Sequence, residues 1–339
     1  AILSLLLLDN RIGFLYVVFF TLFILSYSLY SLVFHDVYLE YLVKNTRYVF
    51  YFIFMFGLVN ILKFISLEKL LYGMSKIFIL KILIVAIINF NLNSEIMFAS
   101  NFLLNNTGLL IAKLSDSYRI LDIYLYFFPL IFIYLRDKKN FIKIFLHLIV
   151  IYNLYVSNTY GFIIAYFVIM FLKYNFFRLL SIGLITILLF YGLSDIIREL
   201  IAAKSFSIEV KLNQLLYVIN NLSFFGEGLG TNIVIEDRID SMLENTVLYW
   251  LVVYGIFGFI IIGAYFIFLP FFVFYLFKYN NVLKDLFYMN LSVLIATTSN
   301  PYIESNVGIM PMLIIISYFL NKNDYFSKKF SSRRYNENS

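Results

Sequence analysis

The sequence predicts an all-α, polytopic transmembrane helical bundle of about 10–12 spans with one long loop, a reading that rests on composition, run length and charge placement. Of its 339 residues, 62% are hydrophobic and 14% charged, where soluble domains carry roughly 25% charged residues. The mean hydropathy is +0.88. Apolar runs recur at close to the roughly 20 residues that a spanning helix requires. The aromatic content is high, with 40 Phe and 29 Tyr. That bias fits a low-GC genome as well as it fits function, so it implies no stacking surface.

Taken in order, residues 1–8 form an apolar run too short to span, which reads as the end of a truncated first helix or a fragment start. Candidate spans follow near residues 12–34, 48–66, 77–92, 121–135, 141–156, 160–173, 179–194, 247–277, 286–302 and 308–321. The 247–277 run is too long for one straight crossing. A break near Gly255 or Gly258 would divide it. No internal repeat and no soluble domain interrupts the chain, so residues 1–339 read as a single integral membrane domain.

Lys and Arg in short loops set orientation. The loop near 136–140 carries Arg136, Lys138 and Lys139, and the link near 173–178 carries Lys173 and Arg178. Lys278 and Lys284 flank the loop near 278–285, and the tail at 322–339 holds Lys322, Lys328, Lys329, Arg333 and Arg334. Alternating spans place all four on one side, hence the cytoplasm. Residues 195–245 then form one long periplasmic or extracellular loop, where the basic residues are Arg198, Lys204, Lys211 and Arg238 and acids outnumber them. A connection of that length is more often functional than not. Chemistry on that side disfavours ATP or nucleotide sugars as substrates. The net charge of +6 suits basic cytoplasmic loops and does not imply nucleic acid. With no Cys, and with His35 and His147 far apart, neither disulfides nor a zinc site is expected.

Within the loop, Arg198 and Lys204 sit on an amphipathic stretch that reads as a helix at the membrane surface. Each reads as a snorkelling side chain, and Arg198 also as a phosphate ligand. Glu209 and Lys211 precede a helical run to Asn221. Phe224-Phe225-Gly226-Glu227-Gly228-Leu229-Gly230 follows, where the glycines permit positive φ and close backbone approach. No βαβ unit surrounds them, so this is no dinucleotide fingerprint, and a tight turn is the simpler reading. Glu244-Asn245-Thr246 then runs into the apolar 247–277 segment. It reads as a helix cap with an acid at the positive end of the dipole. Glu244 reads equally as an active-site carboxylate. Arg119 and Asn300-Pro301-Tyr302 fall on the same outer side. Pro301 breaks a helix, so the latter is a tight turn or the wall of a polar cavity.

The stretch 211–258 resembles the O-antigen polymerases (Wzy-type oligosaccharide repeat-unit polymerases) and, more distantly, the O-antigen ligases. Residues 225–230 are similar to that superfamily's glycine turn. Glu244-Asn245 with Tyr254-Gly255-Ile256-Phe257-Gly258 is similar to the element that follows it, and Asn300-Pro301-Tyr302 to a late Asn-Pro-Tyr element. Lys211 stands where the superfamily usually has Arg, and Glu244 where ligases carry His, which points to a polymerase. The resemblance implies a GT-C-like fold and a metal-independent glycosyltransferase without cofactors. Its substrates would be undecaprenyl-diphosphate-linked oligosaccharides in the bacterial cytoplasmic (inner) membrane. The product would be O-antigen, capsule or a related surface polysaccharide, with membrane lipids and a chain-length regulator protein as partners. It further implies catalytic carboxylates, Glu244 first and Glu209 second. The diphosphate and glycan would meet Arg198, Lys211, Arg238, Arg119, Gly226, Gly228, Gly230, Asn245 and Asn300.

Rival readings are an O-antigen ligase-like transferase, a lipid-linked oligosaccharide flippase and a membrane acyltransferase. Transporters tend to show repeated halves and ionisable groups at mid-membrane. Here no repeat is seen and the charges gather in one loop. Reporter fusions near Asn232 and after Asn323 are expected to read out on opposite sides of the membrane, the second in the cytoplasm. A cytoplasmic signal from both would overturn this topology.

Overall fold

The computed structural model describes residues 11–46, 48–91, 109–114, 117–122, 124–157, 159–174, 205–231, 233–235, 238–240, 245–277, 280–298 and 308–322, with Leu180 and Leu243. Helices α1 (Arg11–Phe34), α2 (Leu39–Thr46), α3 (Tyr48–Phe64) and α4 (Leu67–Asn91) come first. Strands β1 (Leu109–Leu114) and β2 (Ser117–Asp122) lead into a 3-10 turn at Leu125–Phe127. Next are α5 (Leu130–Tyr134), α6 (Asn140–Ser157), α7 (Tyr160–Lys173) and α8 (Ser205–Asn220). After β3 (Ile233–Ile235) and β4 (Arg238–Asp240), helix α9 (Thr246–Gly263) passes through a π-helical stretch into α10 (Leu269–Leu276). The last two are α11 (Asn281–Thr297) and α12 (Met310–Lys322).

Among the described residues, four helices are long and apolar enough to cross a membrane: Val17–Phe34, Leu67–Phe90, Asn140–Ser157 and the 31-residue Thr246–Leu276. Shorter apolar helices occupy Leu125–Tyr134, Gly161–Lys173 and Met310–Lys322. Helix α1 shows why this is a membrane surface. Phe20, Ile24, Tyr27 and Ser31 face inward, yet Leu15, Leu22 and Leu29 on its outer face are exposed. A helix apolar all round belongs in a core or a bilayer, and this one has an uncovered side. Apart from Leu180, the candidate span at 179–194 lies outside the described residues.

Helix α11 sits innermost. Asp285, Phe287, Tyr288, Asn290, Ser292 and Val293 point in different directions around it and are all buried. Asn280 caps it, accepting from the N–H groups of Val282 (3.0 Å) and Leu283 (3.1 Å). It packs on α7, α5 and α10.

Near the start of α11, Asp285 gathers the basic loops. Its Oδ2 accepts from Arg136 at 2.8 Å, and its Oδ1 pairs with Lys173. Arg136 also reaches Glu68 at 3.2 Å. Asn321 donates to the Leu62 carbonyl at 2.9 Å. The ends of α3, α5, α7 and α12 and the starts of α4 and α11 therefore share one end of the bundle. Of the loops that sequence charge assigned to one side, the described residues Arg136, Lys173 and Asp285 lie together, and most of the tail at 322–339 lies outside the described residues.

Two departures concern boundaries. Two antiparallel hairpins occur, Leu109↔Asp122 through Leu114↔Ser117 and Ile233↔Asp240 through Ile235↔Arg238. Such short pairs leave little alternation to read from sequence. The span placed near 121–135 starts later, at Leu125. Asp122 ends a strand there, and its Oδ1 accepts from the Tyr124 N–H (2.9 Å) and from Lys81 (2.8 Å).

Asp285 is 3% exposed and serves two cations, whereas the Glu68 side chain is 65% exposed. Asp285→Asn is expected to destabilise the detergent-solubilised protein by about 3–5 kcal/mol, and Glu68→Gln by less than about 1 kcal/mol. Thermal unfolding of both variants checks this, and equal melting shifts would contradict it.

Candidate functional site

At the opposite end of the bundle a helix is broken and a loop is fitted into the break. Gly255 in α9 adopts φ 63° and ψ −170°, outside the helical region. The break frees the carbonyls of Val252 and Val253 and the N–H groups of Ile256 and Phe257. The glycine turn takes all four. Glu227 N–H donates to Val252 O (2.8 Å) and Gly228 N–H to Val253 O (3.0 Å). In return Ile256 N–H donates to Ser223 O and Phe257 N–H to Phe224 O, both at 3.1 Å. Backbone thus replaces backbone, which buried polar groups require.

Only glycine allows this approach. Gly226, Gly228 and Gly230 have φ of 79°, 90° and 80°. A Cβ on Gly226 would lie 2.5 Å from Val253 O and 2.6 Å from Val252 O. One on Gly255 would lie 2.5 Å from Phe224 O. Gly228 and Gly230 pack instead on the end of α1 and on α2. Ser31 Oγ accepts from Leu229 N–H at 2.5 Å, and Tyr38 N–H donates to Gly230 O at 3.2 Å. Thr231 pairs with Val37 in an isolated bridge. Tyr27 ties α1 to the same helix, its hydroxyl donating to Tyr254 O at 2.8 Å.

The turn presents one carboxylate, Glu227, which is half-buried. The Tyr217 hydroxyl lies 3.0 Å from each of its oxygens. Burial pushes the Glu227 carboxyl above the usual carboxylate range, and the Tyr217 hydrogen bond partly opposes that. The Tyr217 hydroxyl is raised by burial and then by the charge and hydrogen bond of Glu227. Tyr217 belongs to the inward face of α8, which also carries Lys211, the buried Gln214 and the buried Val218. The spacing is that of one helix face. A polar lane therefore runs along α8 to the glycine turn. On the turn's outer side Phe224 and Phe225 are exposed.

Of the sequence-predicted residues, the structure brings together the three glycines and places Lys211 on the lane that leads to them. The glycines' open sides are filled by the protein's own chain. Glu209 sits on the exposed face of α8. Asn245 caps α9, accepting from Val247 N–H (2.9 Å) and Leu248 N–H (3.2 Å), and donates to Thr298 O (3.2 Å). Its cap reading is thus the observed one. Arg119 is opposite Ala112 in the first hairpin and Arg238 opposite Ile235 in the second. Glu244, Arg198 and Asn300 lie outside the described residues. Sequence reasoning passed over Glu227 and Tyr217. The signal was a lone carboxylate between two glycines, ten residues from a tyrosine on the preceding helix.

A second polar spot lies in α4. Lys81 pairs with Asp122, whose side chain is 1% exposed, and stands 4.2 Å from the centre of the Tyr124 ring. Among the described residues the other Asp122 oxygen has no hydrogen-bond partner. No cluster of three or more metal-ligating side chains occurs among the described residues. No protein family, curated protein or solved structure matches this chain.

Gly226→Ala places a methyl group against two backbone carbonyls at positive φ, and is expected to destabilise by more than about 1 kcal/mol. Gly57, inside α3, has open space where its Cβ would be. Gly57→Ala is expected to stabilise by roughly 0.5–1 kcal/mol through helix propensity. Opposite shifts in melting temperature are the expected result, and a neutral Gly226→Ala would contradict the clamp.

Proposed function

We propose that this chain is a glycosyltransferase that polymerises undecaprenyl-diphosphate-linked oligosaccharide repeat units on the outer face of the bacterial cytoplasmic membrane. The observation that carries the reading is the glycine turn clamped into broken α9, with a half-buried carboxylate on it and the α8 lane leading from it to Lys211. It lies at the end of the bundle opposite the basic loops, and the Lys/Arg rule assigns the basic end to the cytoplasm. The exposed Phe224 and Phe225 beside a polar lane suit a substrate that is lipid on one side and glycan on the other.

In this reading a hydroxyl of the acceptor repeat unit attacks the anomeric carbon of the donor glycan. The bond from that carbon to the diphosphate oxygen breaks, and its electron pair leaves with undecaprenyl diphosphate. Negative charge builds on the leaving group, so preorganised cations accelerate the step. Lys211, Arg198 and Arg238 are the candidates, with Arg119 as a further glycan contact. The carboxylate that assists the attacking hydroxyl is to be sought among Glu244, Glu209 and the acids of the turn. The lipid diphosphate already activates the sugar, so neither nucleotide nor ion gradient is needed.

Lys81, which lies inside the apolar helix α4 and pairs with Asp122 at the end of β2, favours a second reading. Ionisable residues within spans often mark transport pathways, so a lipid-linked oligosaccharide flippase is the alternative.

Deletion of the gene separates the two. A polymerase deletion is expected to leave single capped repeat units on the cell surface, whereas loss of all surface glycan would favour the flippase. An unchanged glycan ladder would overturn both. In the complemented strain Lys211→Ala is expected to shorten the ladder at matched protein level, while Lys211→Arg keeps most chain length because the charge survives. Full length from Lys211→Ala would remove Lys211 from the site.

A further inference from the structure

We propose that Glu227 is the general base of the reaction, accepting the proton of the attacking sugar hydroxyl, and that Tyr217 is its positioning residue. This rests on the polymerase reading and names the carboxylate of that same site.

Three observations converge on Glu227. First, it has no cation partner among the described residues, although it is half-buried. Taking a carboxylate from water without a counter-charge is costly, and a group retained in that condition is a candidate for chemistry. Second, the carboxylate is under-used. Ionised, it offers about four acceptor sites. Among the described residues one donor, the Tyr217 hydroxyl, serves both oxygens. The remaining acceptor capacity suits a substrate hydroxyl.

Third, its backbone is held on both sides. The N–H groups of Glu227 and Gly228 are bonded into the break of α9, and the flanking glycines cannot retreat from their close contacts. A base must be placed within a fraction of an ångström, since a misplacement of about 1 Å costs roughly 10²-fold. Glu209, by contrast, stands exposed on a helix face with nothing described to orient it.

The chemistry balances without an added reactant. As the acceptor oxygen bonds to the anomeric carbon, its proton passes to a Glu227 oxygen. The diphosphate departs with the electron pair of the broken bond, and Glu227 later returns the proton to solvent. Raised by burial, the carboxyl works closer to neutral pH than an exposed one would, which favours proton transfer. Besides Tyr217, the titratable groups close to the turn include Tyr30, whose hydroxyl lies 3.4 Å from Gly226 O, His35, whose ring centre is 5.2 Å from that of Tyr30, Tyr38, whose N–H donates to Gly230 O, and Tyr254 with Tyr27 at the break in α9. Lys211 lies further along the α8 lane.

The test uses membranes of the deletion strain complemented with the full chain, and lipid-linked repeat units extracted from the uncomplemented strain. Glu227→Gln preserves shape and removes the basic oxygen. Its chain-extension rate is expected to fall by about 10²-fold or more at matched protein level, with Glu227→Asp retaining part of it. Activity requires the ionised carboxylate, so the rate falls as pH drops through its pKa. Tyr217→Phe removes a hydrogen bond that favours ionisation, so that acid limb is expected to move to higher pH. A merely structural Tyr217 would lower the rate without moving the limb. Wild-type extension by Glu227→Gln overturns the proposal, as does an unmoved limb in Tyr217→Phe. Should Glu227→Gln fail to accumulate, the Tyr217→Phe profile still decides. If the deletion strain itself has an unchanged ladder, the polymerase reading fails and not only the assignment of Glu227.

Discussion

An apolar surrounding offers no water to a broken helix, so every backbone group that a break exposes must find a partner in the protein. The architecture around α9 follows from that constraint. Gly255 turns the chain out of the helical path, and four groups that would have bonded along the helix bond instead to the loop of residues 223–228. The loop can reach them because it too is glycine where backbone meets backbone. Its far side is then pinned by Ser31 and Tyr38, which fixes the end of α1 and the start of α2. A single irregularity thus organises three helices and sets the carboxylate of Glu227 among them.

The other end of the bundle uses a different device. Polar groups there are charged side chains, and one carboxylate, Asp285, answers cations arriving from two separate loops. Buried ion pairs contribute less net stability than their attraction suggests, since desolvation opposes it. Their effect here is geometric: Arg136 and Lys173 are tied to Asp285 near the start of the innermost helix, so the ends of α5 and α7 and the start of α11 are held together. Lys173 also lies 4.3 Å from the centre of the Phe132 ring, a contact that shelters its charge on a second side.

Much of this was legible in the sequence, because membrane helices announce themselves by composition. A break of the 247–277 run near Gly255 or Gly258 followed from its length, and Gly255 is where it falls. What escaped was set by partners distant in sequence. The start of the Leu125 segment depends on Asp122 meeting Lys81, some forty residues earlier. In the site, the family resemblance put forward Glu244 and then Glu209, and passed over Glu227. The helix face of Glu209 and the partner of Glu227 become visible only when α8 is laid against the turn. The glycines signalled close approach, but not that the approaching surface would be another stretch of the same chain.

The clamp between Gly226 and Gly255 also has a consequence for biogenesis. The ribosome delivers the glycine turn before it delivers the helix whose break the turn completes. A break made before the two meet would leave Val252, Val253, Ile256 and Phe257 with unsatisfied backbone groups, at a cost of several kcal/mol for each group. The final, broken form of α9 is therefore coupled to docking of the turn. The segment would enter the bilayer as a straighter helix and break only on assembly, so the last step of folding at this end is the making of the site itself.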